Sequence, residues 1–261
     1  MNEPAMLEVR SLCKDFGGVR AVDDCSFEVP RGSITALIGP NGAGKTTAFN
    51  CISRSMGPTS GQVWLEGERI DTLKPHQVTR RGLSRTFQIT RNLEDLTVLE
   101  NLVVQSKVHG FKALFGPAVP RAEREKAMAI LEFLGITRLA NEQARNLSYG
   151  QKKLMDFGAL LMSEPKIILL DEPASGVNPR LLDEIMAHIS TLNEKGLTVF
   201  IVEHNMNLVM KLSHKVVVMA HGQVIAEGTP KEVQANPEVL TAYLGGKAAG
   251  AGQGAAEASH G

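Results

Sequence analysis

Short apolar runs and longer segments of helical spacing alternate along the C-terminal half of the chain. The runs at 167–170, 197–202 and 215–220 are apolar almost throughout and have the length of buried strands. Between the first two runs, residues 180–194 predict a helix whose apolar residues fall on one side: Leu181, Leu182, Ile185 and Ile189. Another helix is predicted near 205–212. Continuous apolar strands that alternate with helices favour an α/β fold in which helices cover a parallel sheet.

The N-terminal part of the chain has a different pattern that is richer in strands. Strands are predicted at 7–10, 25–29 and 34–38. Residues 62–70 have the pattern of a hairpin that turns near Gly67. This part therefore predicts a β-rich region ahead of the alternating half.

Helices are predicted in the middle of the chain and at its end. Thr97 and Glu100 have the spacing of a capping box at a helix start. A second helix is predicted at 121–134, ending at Gly135 because glycine is favoured just after a helix. Two further starts are predicted where a capping residue precedes a proline, at Thr229-Pro230 and Asn236-Pro237. The small and polar residues 246–261 predict a disordered tail.

Composition narrows the possible functions. The chain has 261 residues, enough for one domain or one domain with a subdomain. Lysine plus arginine and aspartate plus glutamate each number 28, so no overall basic field favours nucleic acid as a partner. No apolar run reaches the about 18–20 residues that a membrane span needs, and the N-terminus predicts no secretory signal. The three cysteines lack metal-site spacing and suit a reducing cytosol.

A glycine-rich segment between a predicted strand and a predicted helix carries the clearest chemical signal. Residues 39–47 have the G-x-x-x-x-G-K-T pattern of a phosphate-binding P-loop. The glycines allow a tight turn whose N–H groups point at phosphate. Lys45 adds a cation for the β- and γ-phosphates, and the Thr46 hydroxyl is suited to Mg²⁺. The predicted nucleotide-binding set is Gly39, Pro40, Asn41, Gly42, Ala43, Gly44, Lys45, Thr46 and Thr47.

Two adjacent carboxylates follow the apolar strand at 167–170. Asp171 is predicted to hold Mg²⁺, and Glu172 to polarise an attacking water. A P-loop alone leaves GTPases, kinases, helicases, motor ATPases and transporter ATPases open. The absence of an Asn-Lys-x-Asp motif for reading guanine argues against a GTPase.

The segment Leu147-Ser-Tyr-Gly-Gln151 narrows this choice. It resembles the signature of ABC-type ATPases, usually Leu-Ser-Gly-Gly-Gln, and it lies between the P-loop and the Asp-Glu strand. The resemblance implies that Ser148, Gly150 and Gln151 bind ATP, with the γ-phosphate at a helix N-terminus.

Further residues match the same family in the expected order. Gln88 resembles the glutamine that contacts Mg²⁺ and the attacking water, and His204 resembles the histidine that contacts the γ-phosphate. Phe16 resembles the aromatic residue that stacks on adenine, with Val22 packing nearby. The resemblance therefore implies that Glu172, His204, Lys45 and Gln88 are catalytic and that Thr46, Gln88 and Asp171 hold Mg²⁺.

The resemblance also implies a domain plan. An ABC ATPase domain at 6–245 would have a RecA-like core and an antiparallel β subdomain, at 6–96 and 147–245. A helical subdomain would occupy about 89–160. Two such chains would enclose two ATP molecules, and hydrolysis would open the pair.

Several shorter segments of the chain resemble those of the larger ATPase of branched-chain amino-acid importers, whose close relatives serve urea, amide or aromatic-acid uptake. They include Phe16-Gly-Gly, Arg85-Thr-Phe-Gln, the segments 96–102, 171–179 and 203–210, and Ala242-Tyr-Leu-Gly245. This implies membrane permease partners, a second ATPase chain that is identical or different, and, indirectly, an extracytoplasmic binding protein. It also implies a peripheral position on the cytoplasmic face of the membrane, with docking near 89–95.

Four positions depart from the common ABC pattern. Tyr149 replaces a glycine at a variable signature position, Val177-Asn178 replaces Leu-Asp, and Ala159 replaces a frequent arginine. An exporter of the lipid type and a soluble ABC ATPase of translation or DNA maintenance stay open as alternatives. Soluble members usually carry two ATPase halves or a coiled-coil insertion, and neither is visible here.

Overall fold

The computed structural model describes residues 5–85, 93–106 and 120–243. In chain order the strands are β1 (Leu7–Phe16), β2 (Val19–Val29), β3 (Ile34–Ile38), β4 (Ser60–Leu65), β5 (Glu68–Arg69), β6 (Leu83–Arg85), β7 (Ile167–Asp171), β8 (Thr198–Val202), β9 (Lys215–Ala220) and β10 (Gln223–Gly228). The helices are α1 (Lys45–Ile52), α2 (Pro75–Arg80), α3 (Val98–Val104), α4 (Arg121–Phe133), α5 (Tyr149–Leu161), α6 (Pro179–Glu194), α7 (Met206–Leu212) and α8 (Pro230–Ala235), and residues 237–243 are also helical.

The chain divides into two compact units. Unit 1 comprises Met1–Leu73 with Thr198–Gly261, and unit 2 comprises Lys74–Leu197. The P-loop and His204 belong to unit 1, whereas the signature and the Asp-Glu pair belong to unit 2. The predicted division into a core and subdomains stays a prediction.

Unit 1 contains an antiparallel sheet in the order β2-β1-β4-β5. The strands β1 and β2 are longer than the sequence predicts, and they meet in a hairpin at Gly17 and Gly18, both with positive φ. The predicted hairpin at Gly67 is confirmed, since β4 and β5 pair antiparallel around it. The prediction of a β-rich region in the N-terminal part is therefore confirmed.

Unit 1 also contains strands in the order β10-β9-β3-β8. The strand β3 pairs parallel with β8 and β9, as their continuous apolar character predicts. The edge strand β10 pairs antiparallel with β9 and was not identified from the sequence. Phe200 of β8 lies in the core, with its ring 5.5 Å from that of Phe27 and 5.6 Å from that of Phe49. The strand β3 leads directly into the P-loop, and β8 ends two residues before His204.

Unit 2 combines the parallel pair β6–β7 with packed helices. The helices α3, α4 and α5 contact one another, and a Cβ on Gly158 of α5 would lie 2.9 Å from Leu134 Cδ1. A side chain at 158 would therefore require Leu134 to shift. The predicted capping box at α3 is confirmed, because Thr97 N–H donates to Glu100 Oε2 at 2.8 Å. The helices predicted at 121–134 and 180–194 are α4 and α6, each within a residue of the predicted bounds.

Some predictions fall outside the described residues. They concern Gln88, the tail at 246–261 and most of the proposed docking segment at 89–95. Within the described ranges, no helix is both long and apolar enough to cross a bilayer.

Candidate active site

The P-loop joins β3 to α1 in unit 1, as predicted. Gly39, Gly42 and Gly44 all have positive φ, a backbone conformation that residues other than glycine adopt only at a cost in energy. A Cβ on Gly39 would lie 2.0 Å from Met219 O, and one on Gly44 would lie 2.3 Å from Ala21 O. Gly42 has open space around it. The outer glycines are therefore required by close backbone packing, and the loop centre leaves room for a ligand.

Lys45 directs its ammonium into this loop. Its Nζ donates to Gly39 O at 2.7 Å and to Pro40 O at 2.9 Å, and the residue is 9% exposed. Lys45 begins α1, whose first-turn N–H groups have no acceptor one turn earlier in the helix. A cation and a helix N-terminus thus meet at one loop, which suits a phosphate chain. Thr46 is exposed and Thr47 is half-buried at the same helix start.

Tyr243 supports the loop from the C-terminal end of the described chain. Its ring packs against a buried cluster that includes Ile38 and Val239. Burial raises the pKa of Tyr243, and a hydrogen bond from the Gly39 backbone opposes that effect. The sequence contains this tyrosine in Ala242-Tyr-Leu-Gly245, but nothing in its pattern indicated contact with the P-loop.

His204 follows β8 on an exposed turn that a buried carboxylate organises. Glu203 is fully buried, and its Oε2 accepts hydrogen bonds from His204 N–H and Asn205 N–H, both at 2.9 Å. The Asn205 side chain then caps α7 by accepting from Leu208 N–H at 3.2 Å. Glu203 thereby sets the turn on which His204 lies. Sequence reasoning missed this role, although a charged residue at the end of an apolar strand was a usable signal.

Phe16 and Val22 lie on the hairpin strands β1 and β2. Phe16 is 45% exposed, and Lys14 Nζ lies 5.2 Å from its ring centroid. An exposed ring is available to a planar ligand. Val22 has no exposed surface. Its predicted contact with adenine stays a prediction.

The carboxylates of unit 2 lie where β7 ends. Asp171 is the last residue of β7 and is 4% exposed, and its Oδ2 accepts from Arg85 at 2.8 Å. This buried ion pair was not predicted. Glu172 is half-buried, with a φ of 47° that is rare for a residue with a side chain. Such backbone strain is often found at functional positions.

The signature segment forms the start of α5. Ser148 is the N-cap: its Oγ accepts from Gln151 N–H at 3.3 Å, while Gln151 Oε1 accepts from Ser148 N–H at 2.9 Å. Gly150 lies against α6, since a Cβ there would be 2.6 Å from Leu181 Cδ2. A side chain at 150 would thus require Leu181 of α6 to shift, a contact that the sequence did not reveal.

The described residues hold no cluster of three or more His, Cys, Asp or Glu side chains fit to bind a metal ion by themselves. The predicted ligands Thr46 and Asp171 provide oxygen atoms, which Mg²⁺ prefers, and Mg²⁺ usually binds few protein groups together with water and substrate phosphates. The donor chemistry therefore fits a phosphate-bound Mg²⁺ better than a dedicated metal cage.

Two family models match the chain. Residues 22–175 match the ABC transporter family, and residues 223–249 match the branched-chain amino acid ATP-binding cassette transporter family.

Curated relatives align over nearly their whole length. The high-affinity branched-chain amino acid transport ATP-binding protein BraF of Pseudomonas aeruginosa is 42% identical, with 94% of this chain and 99% of the relative covered. A probable branched-chain amino acid transport ATP-binding protein LivG of Archaeoglobus fulgidus is 40% identical, with 92% and 95% covered.

Solved structures agree. A nucleotide-free ATP-binding cassette from an ABC transporter has a TM-score of 0.83 at 36% identity, covering 92% of this chain and 99% of that one. An ATP-binding cassette of an ABC transporter in its ADP conformation has a TM-score of 0.84 at 36% identity, covering 93% and 100%.

Proposed function

Because the chain belongs to the ABC transporter family and is an ATPase of that family, we propose that it powers import of branched-chain amino acids or related small polar solutes. The observation that carries this proposal is the end-to-end similarity to curated branched-chain amino acid transport ATP-binding proteins. The match of residues 223–249 to a branched-chain transporter family supports the same substrate class.

The P-loop binds the phosphates of ATP. The loop N–H groups and the start of α1 face the anion, and Lys45 offsets the charge on the β- and γ-phosphates. Thr46 and Asp171 would hold Mg²⁺, which would neutralise charge on the phosphates. Phe16 stacks on adenine, with Val22 nearby.

Glu172 and His204 act on the reacting end of ATP. Glu172 accepts the proton of the attacking water, and His204 donates a hydrogen bond to the γ-phosphate. Glu203 holds the turn that presents His204. Gln88, whose role follows from the family resemblance, would orient the water and help to hold Mg²⁺.

Each complete site needs a second ATPase chain, identical or different. Ser148, Gly150 and Gln151 of one chain bind the γ-phosphate of ATP held by the other, because the start of α5 offers N–H groups and a hydroxyl. Loss of the γ-phosphate on hydrolysis removes this contact and opens the pair. Opening and closing move permease subunits between two states at the cytoplasmic face of the membrane. A separate extracytoplasmic binding protein delivers the solute.

Purification of the tagged chain from gently solubilised native membranes tests this proposal. We expect mass spectrometry to recover two multi-spanning permease proteins and a second, smaller ATPase. Reconstituted vesicles with the ATPase side and ATP inside, and the binding protein outside, should then accumulate labelled leucine, isoleucine or valine, and vesicles with the Glu172→Gln variant should not. Recovery of the chain alone from the soluble fraction, or with ribosomes or DNA, would contradict the transport role.

A further inference from the structure

Tyr149, the signature residue that replaces the usual glycine, hydrogen-bonds to the segment that follows the Asp-Glu pair. It is the first residue of α5 and is 53% exposed. Its hydroxyl donates to Ser175 O at 3.2 Å. The bond links two segments that lie 26 residues apart in the chain, within unit 2.

The ring of Tyr149 also packs closely against the next residue of that segment. Gly176 has a φ of 71°, and a Cβ there would lie 3.1 Å from the Tyr149 oxygen and 3.2 Å from its Cε1. Glycine is therefore favoured at 176 both by its backbone and by the ring. Lys153 Nζ lies 5.5 Å from the ring centroid on the α5 side. The ring thus lies between α5 and residues 175–176.

Ser175 connects Tyr149 to Glu172 through two backbone hydrogen-bonding groups. While Ser175 O accepts from Tyr149, Ser175 N–H donates to Glu172 O at 3.0 Å, closing the turn after the Asp-Glu pair. Two consecutive hydrogen bonds therefore run from the first residue of the signature helix to the backbone of Glu172. Glu172 holds a strained φ of 47°, so its carboxylate position depends on the contacts that fix this turn.

We propose that Tyr149 is a positioning residue that couples the two ATP sites of the working pair, by linking the signature helix to the turn that carries Glu172. This inference rests on the proposed function, in which the signature helix binds ATP held by the second chain. Contact of that γ-phosphate with the start of α5 acts, through the bond from Tyr149 to Ser175, on the turn that positions Glu172 for the ATP of its own chain. A glycine at this position has no side chain that reaches Ser175.

The Tyr149→Phe variant of the intact transporter complex tests the link, since it removes the hydroxyl and keeps the ring. We expect kcat for ATP to fall about two- to tenfold, the effect of one hydrogen bond, while KM stays the same. The wild-type complex should show a Hill coefficient above 1 for ATP, and the variant a coefficient closer to 1. Nucleotide affinity and thermal midpoint of the variant chain alone should equal those of wild type, because the hydroxyl is at the surface.

The Gly176→Ala substitution, made with and without Tyr149, tests the contact between the ring and residue 176. Gly176→Ala should lower kcat more in the wild-type background than in the Tyr149→Gly background, where the added methyl group has room. Equal effects in the two backgrounds would argue against contact between the ring and residue 176 in the working complex.

Other results would overturn the inference. An unchanged kcat and Hill coefficient in Tyr149→Phe, or a wild-type Hill coefficient of 1, would refute coupling through Tyr149 and leave the transport function intact. A lowered thermal midpoint and weaker nucleotide binding by the variant chain alone would mean a merely structural role. A wild-type complex that does not hydrolyse ATP would refute the proposed function itself, and the inference with it.

Discussion

The P-loop of unit 1 and the signature of unit 2 are both glycine-containing helix starts, but different contacts fix them. The P-loop follows β3, which is buried throughout, and Gly222 N–H donates to Ala43 O at 3.1 Å across the loop. The signature has exposed residues at 148 and 149 and is fixed by its own capping box and by side-chain contacts to 175–181. The P-loop is thus part of a buried core, whereas the signature depends on a few surface contacts.

This difference suits two separate tasks. A loop that binds ATP in every cycle gains from being preorganised, because no binding energy is spent on ordering it. A segment that is proposed to engage ATP only when two chains close gains from contacts that are weak enough to change. We therefore expect variants in the P-loop to affect nucleotide affinity, and variants of Glu172 and of the signature segment to affect turnover.

Replacement of the unit 2 carboxylate Glu172 should have the largest effect. Glu172→Gln keeps the side-chain shape but removes the base, so we expect ATP turnover to fall about 10²- to 10⁴-fold with nucleotide affinity retained. Phosphate release by the complex and equilibrium binding of labelled ATP measure the two quantities. Turnover at the wild-type rate would remove Glu172 from its proposed role.

Replacement of the unit 1 cation should give the opposite result. Lys45→Ala removes the ammonium that now bonds Gly39 O and Pro40 O and that is proposed to bind phosphate. We expect nucleotide affinity to fall about 10- to 100-fold, the value of a charged hydrogen bond. Titration of the isolated chain with a fluorescent ATP analogue measures it, and Lys45→Arg serves as the charge-preserving control. Unchanged affinity in Lys45→Ala would contradict the P-loop interpretation.

Much of the fold could be predicted from the sequence because the signals were local. The cap at Thr97 and the hairpin at Gly67 follow from residues a few positions apart, and continuous apolar runs identified β7, β8 and β9. The strand β10 has no clear alternation of buried and exposed positions, and β6 has only three residues, so neither gave a usable pattern.

The partners of the site residues were harder to predict because they are distant in sequence. Arg85 and Asp171 are 86 residues apart, and the contact of Tyr243 with Gly39 spans most of the chain. Glu203 is adjacent to His204, yet only the three-dimensional turn shows its carboxylate bound to two backbone N–H groups. The order of the motifs identified the candidate site residues, whereas the residues that position them are known only from the tertiary contacts.

Glu203 offers a smaller test of the unit 1 side. Glu203→Ala leaves two backbone N–H groups without their carboxylate, so we expect the free energy of unfolding to fall by about 1–3 kcal/mol and turnover to fall as the His204 turn loosens. Glu203→Gln retains an acceptor oxygen and should lose less. Denaturant unfolding compares the two variants with wild type. Equal stability of Glu203→Ala and wild type would show that the buried carboxylate does not hold this turn.

The smallest expected effect concerns Asp156, on the α5 helix of unit 2. Burial among neighbours such as Phe157, Leu170 and Ile185 raises its pKa from 3.8 to about 7, while Lys153 and Lys152 oppose the rise. Because the folded state holds this proton more tightly than the unfolded state, the stabilisation is complete below the unfolded pKa and is lost as pH rises through about 7.

The Asp156→Asn variant tests this shift, because its side chain stays neutral at every pH. We therefore expect its thermal midpoint to match wild type near pH 4 and to exceed it by a few degrees near pH 8, since about 1 kcal/mol moves the midpoint by about 2–4 °C in a chain of this size. A difference between variant and wild type that does not change with pH would show that Asp156 is charged in the folded protein, and that the helix carrying the signature tolerates that charge at its surface.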